Sequence, residues 1–132
     1  MTQTDFSGIS DEPLIKAAFD VKLGFDRARA IVELANRALV KPALLESACK
    51  AISSDRRLGF HERAPLGWFG ADQIFLSGQQ SAIGRLLKEM NHWADTEQED
   101  LVRHWAGKGG LRSLTLDLKR SYGWTPLYKL PG

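Results

Sequence analysis

Ile31-Val32-Glu33-Leu34-Ala35-Asn36-Arg37-Ala38-Leu39 is the stretch that decides the fold. Ile31, Leu34, Ala35, Ala38 and Leu39 recur at i, i+3, i+4, i+7 and i+8, the spacing of one apolar helix face. Glu33 and Arg37 stand on the other side in the favourable i, i+4 order. The pattern predicts a helix from about Asp26.

The flanks repeat the pattern. Towards the N-terminus, Ser10 precedes Asp11, Glu12 and Pro13, which suits a helix start. Leu14, Ala18, Val21 and Phe25 follow at helical spacing, with Gly24 placed to end the segment. Towards the C-terminus, Pro42 opens a third helix whose apolar face is Leu45, Ala48, Cys49 and Ile52. That face makes Cys49 a core residue rather than a reactive thiol. Ile83, Leu86, Leu87 and Met90 mark another helix, and Leu101, Val102 and Trp105 mark one more. Ser77-Gly78-Gln79-Gln80 and Thr96-Glu97-Gln98-Glu99 read as capping boxes, which assigns the second acidic run to helix initiation. Leu114, Leu116 and Leu118 alternate as in a strand. Leu111, Leu114, Leu118 and Tyr122 fit a helix instead, closed by Gly123 with Pro126 beyond it. Helix is expected there because every preceding element is helical.

Three stretches carry no such pattern. Residues 1–9 read as a flexible N-terminus, 53–71 as a long central loop, and 123–132 as an extended tail. The expected fold is therefore all-α: one compact domain over residues 1–132, with about six helices.

Composition supports an ordinary soluble globular domain. The 132 residues are 43% hydrophobic and 26% charged, with one cysteine. These proportions exclude a disordered tail, a collagen-like repeat and a disulfide scaffold. No apolar run approaches the ~18 residues of a membrane span. Met1 to Ile9 lacks the basic start and apolar stretch of a signal peptide. An isolated thiol fits a reducing cytosol, so a cytoplasmic location is expected.

The net charge of +2 conceals an asymmetry: residues 1–20 carry −3, residues 94–100 carry −4, and residues 101–132 carry +5. Such a distribution bears on partners rather than on fold. Lys108, Arg112, Lys119, Arg120 and Lys129 are candidates to meet a phosphate backbone, with Ser113 and Thr115 as neutral donors. The two last helices, joined by Gly107-Lys108-Gly109-Gly110, resemble a helix-turn-helix in outline. Arg56, Arg57 and Arg63 in the central stretch are further candidate phosphate ligands. Trp68, Phe69, Trp124 and Tyr128, near glycines or in the tail, are candidate anchors for a protein partner.

No enzymatic motif is present. Gly107–Gly110 lacks the spacing of a P-loop and follows a predicted helix rather than a strand. There is no nucleophile elbow, dinucleotide fingerprint or Cys-His signature. His92-Trp93 and His104-Trp105 echo each other twelve residues apart, which does not align on one helix face. Tryptophans packed inward with histidines at the edge are expected. His61 and Glu62 lack the rest of a zinc-protease motif.

These readings lead to a non-catalytic binding subunit with no metal and no cofactor. It is expected to contact DNA or RNA backbone, mostly without reading sequence, within a larger nucleoprotein complex that includes other protein subunits. The alternative is a protein-binding inhibitor, immunity or accessory protein acting through exposed aromatics; a small enzyme ranks third.

Overall fold

The computed structural model describes residues 5–59 and 63–130. Among them are seven α-helices and no strand: α1 (Asp11–Ala18), α2 (Asp26–Val40), α3 (Leu45–Ser53), α4 (Leu66–Ser77), α5 (Gln80–Met90), α6 (Asp95–Ala106) and α7 (Leu111–Tyr122). Single 3₁₀ turns occupy Val21–Leu23, Pro42–Leu44 and Gly107–Gly109.

The stretch containing Ile31 forms the spine. α1, α3 and α4 all pack on α2, whose Ala30, Ile31, Leu34, Ala35 and Ala38 are buried. Alanine at three of those positions lets neighbouring helices come close. Leu14 and Ala18 supply the buried face of α1, and Ala48, Cys49 and Ile52 that of α3. Burial pushes the Cys49 thiol up to about 12, so it stays protonated and behaves as a small apolar group.

Two arginines tie the chain ends of this core. Arg27 is buried; its Nε donates to the Ala18 carbonyl at 2.9 Å and its Nη2 donates to Ser54 Oγ. It therefore joins the end of α1 to the end of α3. Arg37 donates to Glu33, Asp11 and the Phe6 carbonyl at 2.9, 3.0 and 3.0 Å. Phe6 is buried as well, so the N-terminal segment touches the core at that residue and at its carbonyl. Residues 1–4 lie outside the described part.

The central stretch departs from expectation. α3 runs through Ser53 and α4 begins at Leu66, so the connection is 54–65 and not 53–71. Pro65 sits just before the first turn at φ −58, a position that needs no N–H inside the helix. Gly67 and Gly70 then serve close packing. A Cβ on Gly67 would lie 2.1 Å from the Ile52 carbonyl oxygen, and one on Gly70 would lie 2.5 Å from Ile31 Cγ2. Glycines that look like loop signals in the sequence are the contact surface of a buried helix.

Both capping boxes are also placed differently. Ser77 Oγ accepts from the Gln79 amide at 3.1 Å and donates to the Ile74 carbonyl at 2.6 Å, so it closes α4 rather than opening α5. α6 starts two residues earlier than Thr96 suggests. Glu97, not Glu99, reaches back to a flanking amide, that of Ala94, at 2.9 Å.

Among the described residues no helix is long and apolar enough to cross a membrane.

Candidate nucleic-acid interface

The buried face of α7 determines which of its side chains point outward. Leu111, Thr115 and Leu118 are buried, with Leu114 and Tyr122 half-buried beside them. Arg112, Leu116, Lys119 and Arg120 are exposed on the other side. Seven residues at 100° each bring Arg112 and Lys119 within about 20° around the axis, about 10 Å apart along it. Arg120 pairs with Asp117 at 3.7 Å, both side chains largely exposed, a pairing of little strength.

The tail then folds back. Gly123 ends α7 in the left-handed region at φ 65, a conformation glycine adopts without penalty. Trp124 Nε1 donates to Asn91 Oδ1 at 3.0 Å. The Leu127 amide donates to Gln98 Oε1 at 2.8 Å, while Gln98 Nε2 donates to the Met90 carbonyl at 2.7 Å. Gln98 is fully buried, and both polar atoms of its side chain serve this junction. Tyr128 Oη pairs with Thr115 Oγ1 at 2.8 Å in the middle of α7. Burial pushes the Tyr128 phenol upward most, against the Thr115 hydrogen bond, which lowers it.

Tyr128 thus anchors the tail on α7, and Lys129, the next residue, is exposed. Lys108 is exposed in the glycine turn before α7. Lys108, Lys119 and Lys129 enter no ion pair among the described residues. The first turn of α7 contains no acidic residue.

The central arginines form a different cluster. Arg56 Nε and Arg57 Nε donate to the two carboxylate oxygens of Glu97 at 2.9 and 2.6 Å. Arg56 also donates to the Ser53 carbonyl and lies over the Trp93 ring. Glu97 is 5% exposed. Its burial pushes its carboxyl upward more than any single contact lowers it. Hydrogen bonds from Arg56, the Ala94 amide and Arg57 together outweigh that and draw it down to about 2. Arg56 is thus a structural clamp. Arg57 is 80% exposed at its side chain. Arg63 stacks over Phe25, its guanidinium carbon 4.5 Å from the ring centroid. Among the described residues no ion pair links these three to α7. The eight sequence-predicted cations therefore divide: three on α7, one in the turn before it, one in the tail after it, two on Glu97 and one on Phe25.

Three of the four proposed aromatic anchors are not exposed. Trp68, Trp124 and Tyr128 are 8, 4 and 6% exposed. Glycine neighbours suggested surface turns, yet Trp68 lies inside α4 and the other two are held down by Asn91 and Thr115. Phe69 is the exception, at 43% exposed. With Phe25, Phe6, Ala28 and Val32 it lines an open groove of about 730 Å³, rimmed by Asp5, Asp26, Glu33 and Arg29.

His92 and His104 lie at the surface next to an inward-packed Trp93 and a half-buried Trp105, as the echo suggests. His61 lies outside the described residues. One pairing had no signal in the sequence: Asp72 takes His104 Nε2 at 3.0 and 3.1 Å and accepts from Trp105 Nε1 at 3.1 Å. Trp68 stacks on His104 with centroids 4.8 Å apart. This cluster sews α4 to α6. Among the described residues no group of three or more His, Cys, Asp or Glu is placed to hold a metal ion.

Comparison with family models, with curated proteins and with solved structures gives no match to this chain.

Proposed function

We propose that this chain is a non-catalytic binding subunit that holds nucleic-acid backbone on the outer face of α7 and the tail beside it. The observation that carries the reading is the Tyr128–Thr115 hydrogen bond. It anchors the tail, one residue before Lys129, on the helix that bears Arg112, Lys119 and Arg120. Cations exposed on one helix face and an adjoining strap are suited to phosphates, which accept charge-assisted hydrogen bonds and release condensed counterions on neutralisation. Base reading is not part of the proposal, because such contacts position a protein without conveying sequence.

A salt titration against nonspecific oligonucleotides tests it. Neutralisation of five phosphates gives a log–log slope of about −4.5 on duplex DNA. Absence of binding at low salt, to DNA and to RNA, overturns the reading.

The Phe25–Phe69 groove favours a second contact, with protein. Its aromatic walls suit a partner segment that presents a large apolar side chain. A subunit of a nucleoprotein complex uses both surfaces.

A further inference from the structure

We infer that the pocket between α5 and the end of α7 holds a single nucleotide, with its base against Tyr122 and its phosphate on Lys88. The site uses none of the five cations of the backbone reading, so it goes beyond that reading and is tested apart from it.

Gly84, Lys88 and Asn91 follow one another at i, i+4 and i+7 on α5, which brings them to one helix face. Tyr122 at the end of α7 and Trp124 and Thr125 in the tail line the same space. The result is an open pocket of about 600 Å³, within the range of about 300–1,000 Å³ usual for small-molecule sites.

Gly84 is the unusual residue in this wall. Glycine in a helix interior weakens the helix relative to alanine. At Gly67 and Gly70 close packing calls for it, since an added Cβ would meet a neighbour at 2.1 and 2.5 Å. At Gly84 a Cβ would meet only Tyr122 Cδ1, at 3.6 Å, an ordinary contact. Gly84 does not lie at positive φ either. Neither packing nor backbone conformation asks for glycine there. What the missing side chain does is keep the space beside the Tyr122 ring open.

The polar groups of the pocket match a nucleotide. The Trp124 indole can only donate, so its 3.0 Å bond turns Asn91 Oδ1 towards it and leaves the Asn91 amide nitrogen to donate into the pocket. Among the described residues that nitrogen and the Lys88 ammonium have no partner. Both side chains are exposed, Tyr122 is half-buried, and no carboxylate lines the pocket. A nucleobase offers a π-face to an aromatic ring and ring acceptors to an amide N–H, and its phosphate accepts a charge-assisted bond from an ammonium. An apolar ring would leave Asn91 and Lys88 unused, and a bare phosphate would leave Tyr122 unused.

NMR titration of the whole chain decides this, read at the backbone amides of Gly84, Gly123 and Thr125 and at the Trp124 indole N–H. The probes are adenosine and uridine monophosphate, the two nucleosides, inorganic phosphate, benzoate, and one mixed-sequence oligonucleotide as single strand and as duplex. Saturable shifts at these signals are expected with a nucleotide, and binding at least about tenfold weaker with nucleoside, phosphate or benzoate. Shifts from a monophosphate, or from the single strand alone, support the inference and separate a free nucleotide from one within a chain. Gly84→Ala is expected to raise Tm by about 2–4 °C and to weaken the nucleotide at least about fivefold. Lys88→Gln is expected to bring the nucleotide to the affinity of the nucleoside. Signals that no probe moves, signals that only the duplex moves, equal binding of benzoate, and full affinity or a lowered Tm in Gly84→Ala each overturn the inference. Oligonucleotide binding that follows the salt slope while these signals stay still leaves the backbone reading standing. Shifts from a monophosphate with no oligonucleotide bound do the reverse.

Discussion

Tyr128 Oη and Thr115 Oγ1 lie 2.8 Å apart in a buried contact, and Thr115 Oγ1 also bonds the Leu111 carbonyl at 2.7 Å. A tail residue thereby completes the polar pairing of a helix residue thirteen positions earlier. The contact converts an extended tail into part of the surface of α7.

Tyr128→Phe removes that pairing and leaves the Thr115 hydroxyl with its one bond to Leu111. The expected loss of stability is about 1 kcal/mol. If the tail loosens, Lys129 no longer contributes, and the salt slope for duplex DNA becomes shallower by about 0.9. Hydrogen exchange at the Leu127 amide, which Gln98 protects, reads the tail directly. Unchanged exchange at Leu127 together with an unchanged slope counts against the strap.

Lys119→Gln and Lys129→Gln leave the core untouched, since both side chains are exposed. Each is expected to reduce the slope by about 0.9, and the pair together by about 1.8, with Tm unmoved. Arg56→Gln is expected to do the opposite: lower Tm and leave the slope as it was, because its guanidinium is occupied by Glu97 and Ser53. A slope that responds to Arg56 instead of Lys119 transfers the interface to the other cluster.

Glu97 gives a pH dependence with a definite sign. Its carboxyl is held below its ordinary value of 4.5, at about 2, so the folded state binds its proton more weakly than the unfolded chain. Its contribution is complete above about 4.5 and disappears as pH falls towards 2. Glu97→Gln is expected to lower stability by on the order of 2 kcal/mol near neutral pH. Two partly exposed guanidinium partners discount the cost of breaking a fully buried pair. Urea unfolding of both proteins across the acid range checks it: the two curves converge as pH approaches 2. A gap that persists undiminished at that pH excludes the ion pair as its origin.

Gly70→Ala tests the close approach of α4 to α2. The added methyl meets Ile31 Cγ2 at 2.5 Å. The Ile31 side chain has to shift within a packed core, at a cost of about 1–3 kcal/mol. Gly67→Ala places the methyl against the Ile52 carbonyl oxygen, which is backbone, and is expected to cost more. Equal Tm for wild type and Gly67→Ala contradicts the helix packing described for α4.

Phe69→Glu probes the groove. The side chain is exposed, so Tm is expected to change little, while a nuclease-resistant protein partner captured by the native chain is lost. A partner retained at full yield by Phe69→Glu rules out the groove as its docking site, and duplex binding is expected to be the same in both proteins.

The amino-acid sequence by itself determined the helical class and most of the core. The i, i+3, i+4 recurrence at Ile31, Leu34, Ala35 and Ala38 is a local property, and any helix with that stripe must bury it. It also set Arg112 and Lys119 apart from Leu111 and Leu118 by helical spacing, whereas Thr115, expected as a neutral phosphate donor, is buried and bonded to Leu111 and Tyr128. What only the tertiary structure decided were relationships between distant segments. Gly67 and Gly70 signal a loop or a close contact equally well, and only the position of Ile52 and Ile31 distinguishes the two. Glu97 reads locally as a helix-starting acid, whereas its occupation of Arg56 and Arg57 depends on the loop after α3 reaching the start of α6. Trp68, Trp124 and Tyr128 lie inside because Gln98, Asn91 and Thr115 anchor the tail and α6 accepts α4. The physical reason is the same in each case: local periodicity specifies which face of a segment is apolar, but the partner that covers it is set by long-range packing.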